Sequence, residues 1–327
     1  MNKIQKLVAC LSVLTASAVI ADTGYSDMVV FGDSLSDPGN VFVVAGEVSV
    51  RPYDAGNIPD APYPIGGLTF SNGKTWVEHV SATLKLKGGT GPALRTSTFA
   101  NYAFGGARAA SSAGGPFDLS AQVGQYFADT GGSVDSEALY SVFFGNYVRD
   151  ALSAFNVALQ QTLIAGGTLP EALAAGQAAA EVVLTDAVTT IADNIIALAS
   201  QGARNFLVPN VPNIGVVPAI TDLGTDAATL ATQLSFSFNL ALENALSSIE
   251  LALPVNINRF DVFTFISSVV AAPEAFDIDN VVDACITPEV KKGAVCKHQE
   301  NYLFWDGIHP TRAGHNLLAE AALSALQ

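Results

Sequence analysis

The chain has 327 residues, half of them apolar, and a formal net charge of −15. That composition builds a sizeable core and excludes a disordered chain. The acidity, with no Lys/Arg cluster to offset it, excludes a nucleic-acid-binding surface and makes anionic bilayers poor partners.

The chain opens with Lys3 and Lys6, an apolar stretch over residues 7–20, and small residues suited to cleavage before Asp22. Residues 1–21 are therefore expected to be a signal peptide, and 22–327 a single exported domain, periplasmic or secreted. Leu7-Val8-Ala9-Cys10 is similar to a lipoprotein acylation box, but Cys10 precedes the apolar stretch instead of ending it. No later run is expected to cross a bilayer, because the Ala-rich stretch 172–199 is interrupted by Glu181, Asp186 and Asp193.

Short apolar runs over 28–31, 99–104, 139–144, 206–211 and 255–260 read as strands, each bounded by Gly, Pro, Asn or Asp. Helical patterns fall between and after them, over 75–86, 120–128, 148–164, 170–200, 226–253 and 311–326. In the fifth, Leu230, Leu234, Phe238, Ala241, Ala245 and Ile249 recur at helical spacing. This alternation predicts an α/β fold, a parallel sheet covered by helices on both faces.

The first strand runs into Gly32-Asp33-Ser34-Leu35-Ser36-Asp37-Pro38-Gly39-Asn40. A Ser on that turn lies at the carboxyl edge, where open parallel sheets bind ligands; alone, it reads equally as a helix cap. Near the other end, Asp306-Gly307-Ile308-His309-Pro310-Thr311 sets an acid three residues before a His. A nucleophilic Ser needs such a base, and the base needs an acid to fix its tautomer. The competing reading is a plain helix-start turn. His79 and His315 fall inside helical patterns, and His298 has no acid placed like Asp306. Gly105-Gly106 after the second strand and Asn146 after the third are candidate donors to an oxyanion, or simple turn residues.

Taken together these blocks resemble the SGNH (GDSL) hydrolases, from Phe31 to Thr311. The resemblance implies a flavodoxin-like three-layer sandwich with a central parallel sheet. It implies Ser34 as nucleophile, with Asp306 and His309 as acid and base. It also implies an oxyanion hole made of the Ser34 and Gly106 N–H groups and the Asn146 amide. Ser71-Asn72-Gly73-Lys74-Thr75-Trp76 is similar to the lipase and haemolysin-like branch. The third block departs from the family's Gly-x-Asn-Asp: Phe144 and Tyr147 replace its first Gly and its Asp.

The expected activity is hydrolysis of a carboxylic ester, of a lipid or another acyl group, through an acyl-Ser34 intermediate and without cofactor or metal. Acyl transfer or polysaccharide deacetylation at the same site, and an inactive surface-binding protein of the same fold, are the alternatives. Asp277, Asp279 and Asp283 lack the Gly and Glu of a calcium loop, and the glycine-rich 105–115 lacks a P-loop Lys. In an oxidising compartment Cys285 and Cys296 are expected to form a disulfide; two free thiols are the other reading.

Overall fold

The computed structural model describes residues 24–54, 58–59, 62–63, 67–111 and 115–327. The expected signal peptide, with Cys10, lies outside the described residues. Four strands, β1 (Met28–Gly32), β2 (Leu139–Phe143), β3 (Asn205–Pro209) and β4 (Asn256–Phe260), form one parallel sheet in that order. Residues 99–104, expected as a strand, run beside β1. Val30 N–H donates to Ala100 O (2.9 Å), Tyr102 N–H to Val30 O (2.8 Å) and Phe104 N–H to Gly32 O (3.0 Å). Only Val30 and Asn101 pair as a regular bridge, so this is an irregular edge segment. Counting it, the order is that of flavodoxin-like sheets, with the switch point between β1 and β2.

Side chains alternate across the sheet. Val29, Phe31, Tyr140, Phe206 and Val208 pack with α3 (Leu119–Asp129), α4 (Tyr147–Ile164), α5 (Leu169–Ser200) and α7 (Thr225–Ala252). Met28, Val30, Leu139, Phe143 and Leu207 face α2 (Trp76–Thr83), α8 (Val262–Ala271) and α9 (Arg312–Ala325). The result is three layers, as the parallel pattern demands.

Helix starts follow local chemistry. Thr75 with Glu78, and Thr168 with Glu171, form capping boxes that begin α2 and α5. Asp261 accepts the Thr264 N–H and begins α8, a helix the strand-to-strand reading did not expect. The short α1 (Asn40–Ala45) and α6 (Pro218–Thr221) and the small pair β5 (Asn280–Ala284) and β6 (Tyr302–Phe304) were likewise unexpected.

Among the described residues α5 is long and apolar enough to cross a membrane by length and composition, although half of its most apolar window is buried inside the fold. Its acidic residues interrupt the pattern without shortening it below a span.

Candidate active site

β1 delivers the first block. A Cβ on Gly32 would stand 2.9 Å from the Phe143 carbonyl oxygen and 3.1 Å from Ser36 Cβ, so the strand can end against β2 only with glycine there. The chain then turns, and two buried carboxylates flank Ser34. Asp33 accepts N–H groups from Leu35 (3.0 Å) and Gly145 (2.7 Å). Asp37 accepts from Gly39 (2.7 Å), Asn40 (2.6 Å), Val41 (3.2 Å) and Gly105 (2.9 Å). Burial raises both carboxyls, Asp37 to about 6, against the opposing pull of these amides. Asn101 and Asn40 complete the grip. The Asn101 amide donates to Ser36 O (3.0 Å), and the Asn40 amide to Asn101 O (2.8 Å) and Ala103 O (2.9 Å).

The last block meets this turn across 275 residues. His309 Nε2 lies 2.7 Å from Ser34 Oγ, and His309 Nδ1 lies 2.7 Å from Asp306 Oδ2. Asp306 Oδ1 accepts the N–H groups of Ile308 (2.9 Å) and His309 (2.8 Å), which fixes the carboxylate within its own turn. All three side chains are buried. β6 ends at this loop, where Trp305 N–H donates to His309 O (2.7 Å), and Thr311 caps α9 by accepting the Gly314 N–H. Cys285 and Cys296, eleven residues apart, are disulfide-bonded beside it, and Cys285 N–H donates to Phe304 O (3.0 Å).

Two residues that sequence reasoning missed complete the acid–base turn. Tyr63 OH donates to Asp306 Oδ2 (3.0 Å), and burial followed by the Asp306 charge keeps that hydroxyl protonated. The ring of Phe70 leans on His309 with 5.4 Å between centroids. A signal lay next to them in the Ser-Asn-Gly segment. Ser71 Oγ donates to Pro310 O (2.8 Å), and Asn72 Oδ1 accepts the Arg312 N–H (2.6 Å), so this segment braces the loop that carries His309.

The two other expected site residues lie on adjoining segments. Asn146 stands at the start of α4 and donates from its side-chain amide to Ala107 O (3.1 Å), the carbonyl next to Gly106. Gly106 has a positive φ of 82°, the left-handed region that favours glycine. In the altered third block Tyr147 is buried, hydrogen-bonds Phe144 O and packs on Phe238 at 4.5 Å between centroids. Phe144 is also buried, so both departures serve packing on the α4 side of the sheet.

The remaining histidines lie elsewhere. His315 Nδ1 accepts the Trp76 N–H (3.1 Å), and burial pushes its pKa down to about 3. Burial lowers His79 too, and exposed His298 pairs with Glu300 at 3.5 Å.

Ser34 and Asn146 line a narrow cavity of about 50 Å³ whose other walls include Leu35, Phe143, Val262, Ile266 and Leu318. It dives between the sheet and α8, and its lining is almost wholly apolar. A serine, base and acid in hydrogen-bonded series at the mouth of such a cavity can acylate and deacylate the serine.

Residues 28–322 match the family model described as GDSL-like lipase/acylhydrolase. Among curated proteins, a GDSL esterase/lipase of Arabidopsis thaliana is 27% identical over 354 residues, covering 96% of this chain and 91% of the plant protein. The thermolabile hemolysin of Vibrio parahaemolyticus is 25% identical over 313 residues, covering 91% of this chain and 63% of the hemolysin. Lipase 1 of Photorhabdus luminescens is 22% identical over 385 residues, covering 96% and 52% respectively. The chain thus spans less than two thirds of the length of both bacterial relatives.

Proposed function

Since the chain belongs to the GDSL-like lipase/acylhydrolase family, we propose that it is an exported carboxylic ester hydrolase that works through an acyl-Ser34 intermediate. The observation that carries this reading is the unbroken series Ser34 Oγ, His309 Nε2, His309 Nδ1 and Asp306 Oδ2, with 2.7 Å at each step between residues.

Ser34 Oγ attacks the ester carbonyl carbon while its proton passes to His309 Nε2. Asp306 holds the tautomer with hydrogen on Nδ1 and stabilises the imidazolium. Its other oxygen is occupied by two amides of its own turn, so the carboxylate cannot swing away. The tetrahedral oxyanion is met by the Ser34 and Gly106 N–H groups and the second N–H of the Asn146 amide, whose first is spent on Ala107. Collapse expels the alcohol, which takes the proton from Nε2. A water then repeats the sequence against the acyl-serine and releases the acid.

The acyl chain enters the apolar cavity beneath Ser34. A space of about 50 Å³ admits about four water-sized groups, which fits a short acyl chain. The deciding experiment is a nitrophenyl ester series on purified protein, with a fluorophosphonate to mark the nucleophile. Butanoate should outrun dodecanoate, and the label should map to Ser34. Labelling at another residue removes Ser34 as the nucleophile, and absence of hydrolysis across the series ends the proposal in favour of an inactive binding protein.

A further inference from the structure

We propose that Arg149 forms an anion subsite that selects esters bearing a phosphate or carboxylate on the alcohol side. The proposal rests on the ester-hydrolase reading and narrows its substrate class. Arg149 lies in the first turn of α4, three residues beyond Asn146, and is partly exposed. It lines the apolar cavity that holds Ser34. It also lines a second, broad cleft of about 690 Å³ that runs along α4 past Ser153, Asn156 and Gln160 toward α6. Arg149 is therefore the residue shared by the two spaces. With the acyl chain in the narrow cavity, the leaving alcohol extends into the broad cleft, past the guanidinium.

Three further observations mark this arginine as reserved for a ligand. Among the described residues its guanidinium has no hydrogen-bond or ion-pair partner, in a chain where acids outnumber bases two to one. Its neighbour Asp150 is held by Arg108 through two bonds, of 2.6 and 3.2 Å. Asp33, the acid that lines the cavity beside it, is bonded to the amides of Leu35 and Gly145. The position also runs against the helix: a cation in the first turn faces the positive end of the dipole, where an anion is favoured. Helix terminus and guanidinium together attract the same kind of group, and a guanidinium fork matches the paired oxygens of phosphate or carboxylate.

The test compares three soluble butanoyl esters, of glycerol, of glycerol phosphate and of choline, on the full protein and on Arg149→Gln and Arg149→Lys. In the wild type kcat/KM should rank phosphate above glycerol above choline. In Arg149→Gln the phosphate-to-glycerol ratio should fall by about 10- to 100-fold, the range of a charge-assisted hydrogen bond. Arg149→Lys should retain part of the ratio, and 0.5 M salt (about a 4 Å screening length) should erode it. A wild type with no preference among the three esters overturns the subsite, and so does a variant that loses all three in equal proportion. Either result leaves the hydrolase reading standing if the glycerol ester is cleaved and Ser34→Ala is dead. Failure of the wild type on every ester overturns the hydrolase reading itself.

Discussion

The nucleophile turn and the acid–base turn are both short loops at the end of a strand, yet they are held in opposite ways. Asp33 and Asp37 reach outward: one grips the amide at 145, before Asn146, and the other the amide at 105, before Gly106. Asp306 reaches inward, to amides at 308 and 309 and to the ring it orients. The first turn is thus a hub that sets three segments at once. The second is a self-contained unit braced by Tyr63, Ser71, Asn72 and the disulfide. Damage to the hub should spread to the oxyanion donors, whereas damage to the acid–base turn should stay with the strength of the base.

The largest effect tests that the two turns act as one machine. Ser34→Ala should lower kcat by about 10⁴- to 10⁶-fold, and adding His309→Ala should cost almost nothing more, since the pair works as a unit. Additive losses in the double variant would separate the turns. Asp306→Asn comes next, with a fall in the plateau of about 10⁴-fold because an amide can stabilise the wrong imidazole tautomer. A pH–rate profile checks it, and wild-type plateau activity in that variant would remove Asp306 from the mechanism.

Asn146→Ala should reduce kcat by about 10²- to 10³-fold with little change in Tm, as expected of a donor to developing charge. The hub sharpens the pH profile as well. His309 must be neutral to accept the serine proton, and Asp37, whose carboxyl is raised by burial to about 6, must be ionised to hold the amide at 105 fully. Below pH 6 the logarithm of kcat/KM should therefore climb with pH more steeply than one proton allows. A limb of unit slope down to pH 4.5 would show that the hub tolerates protonation.

The two smallest effects are on stability. The disulfide closes a loop of eleven residues' separation, worth about 3 kcal/mol in the chain-entropy model. Reductant should lower Tm and open two thiols to alkylation, while intact unreduced protein should show none. Glu78 caps α2 from a buried position, and burial pushes its carboxyl up to about 7. A folded value raised above the unfolded one means that the fold binds the proton more tightly. Stability from this group is full below about 4.5 and declines as pH rises toward 7. Glu78→Gln keeps the acceptor without the charge, so it should raise Tm by about 3 °C at pH 8 and leave it unchanged at pH 4. An equal shift at both pH values would assign the effect to packing.

The two turns were unequally legible in the sequence. Ser34 and the Asp306–His309 spacing could be read because each needs a particular residue type at a fixed distance from a strand or helix end. That the sheet is parallel followed from alternation, whereas its strand order was implied only by the family resemblance. Tyr63 and Phe70 could not be read, since their roles depend on a loop folding back over the acid–base turn from more than 200 residues away. The small strand pair before His309 was hidden for another reason. Its strands are partly exposed and short, and β5 carries Asn280 and Asp283 where a strand pattern expects apolar residues. α8 was missed because it leaves β4 with one intervening residue, Asp261, so no loop signal announces it. Phe144 and Tyr147, conspicuous as departures from a motif, are ordinary core residues of the α4 layer.

The distance along the chain between the two turns has a consequence for when the protein acts. Ser34 is translated 275 residues before His309, the base that the proposed mechanism requires. On that reading a growing chain that has not reached residue 309 carries the serine without its base, however well β1 and β2 have paired. On the proposed mechanism the sheet can therefore assemble before the serine is able to act.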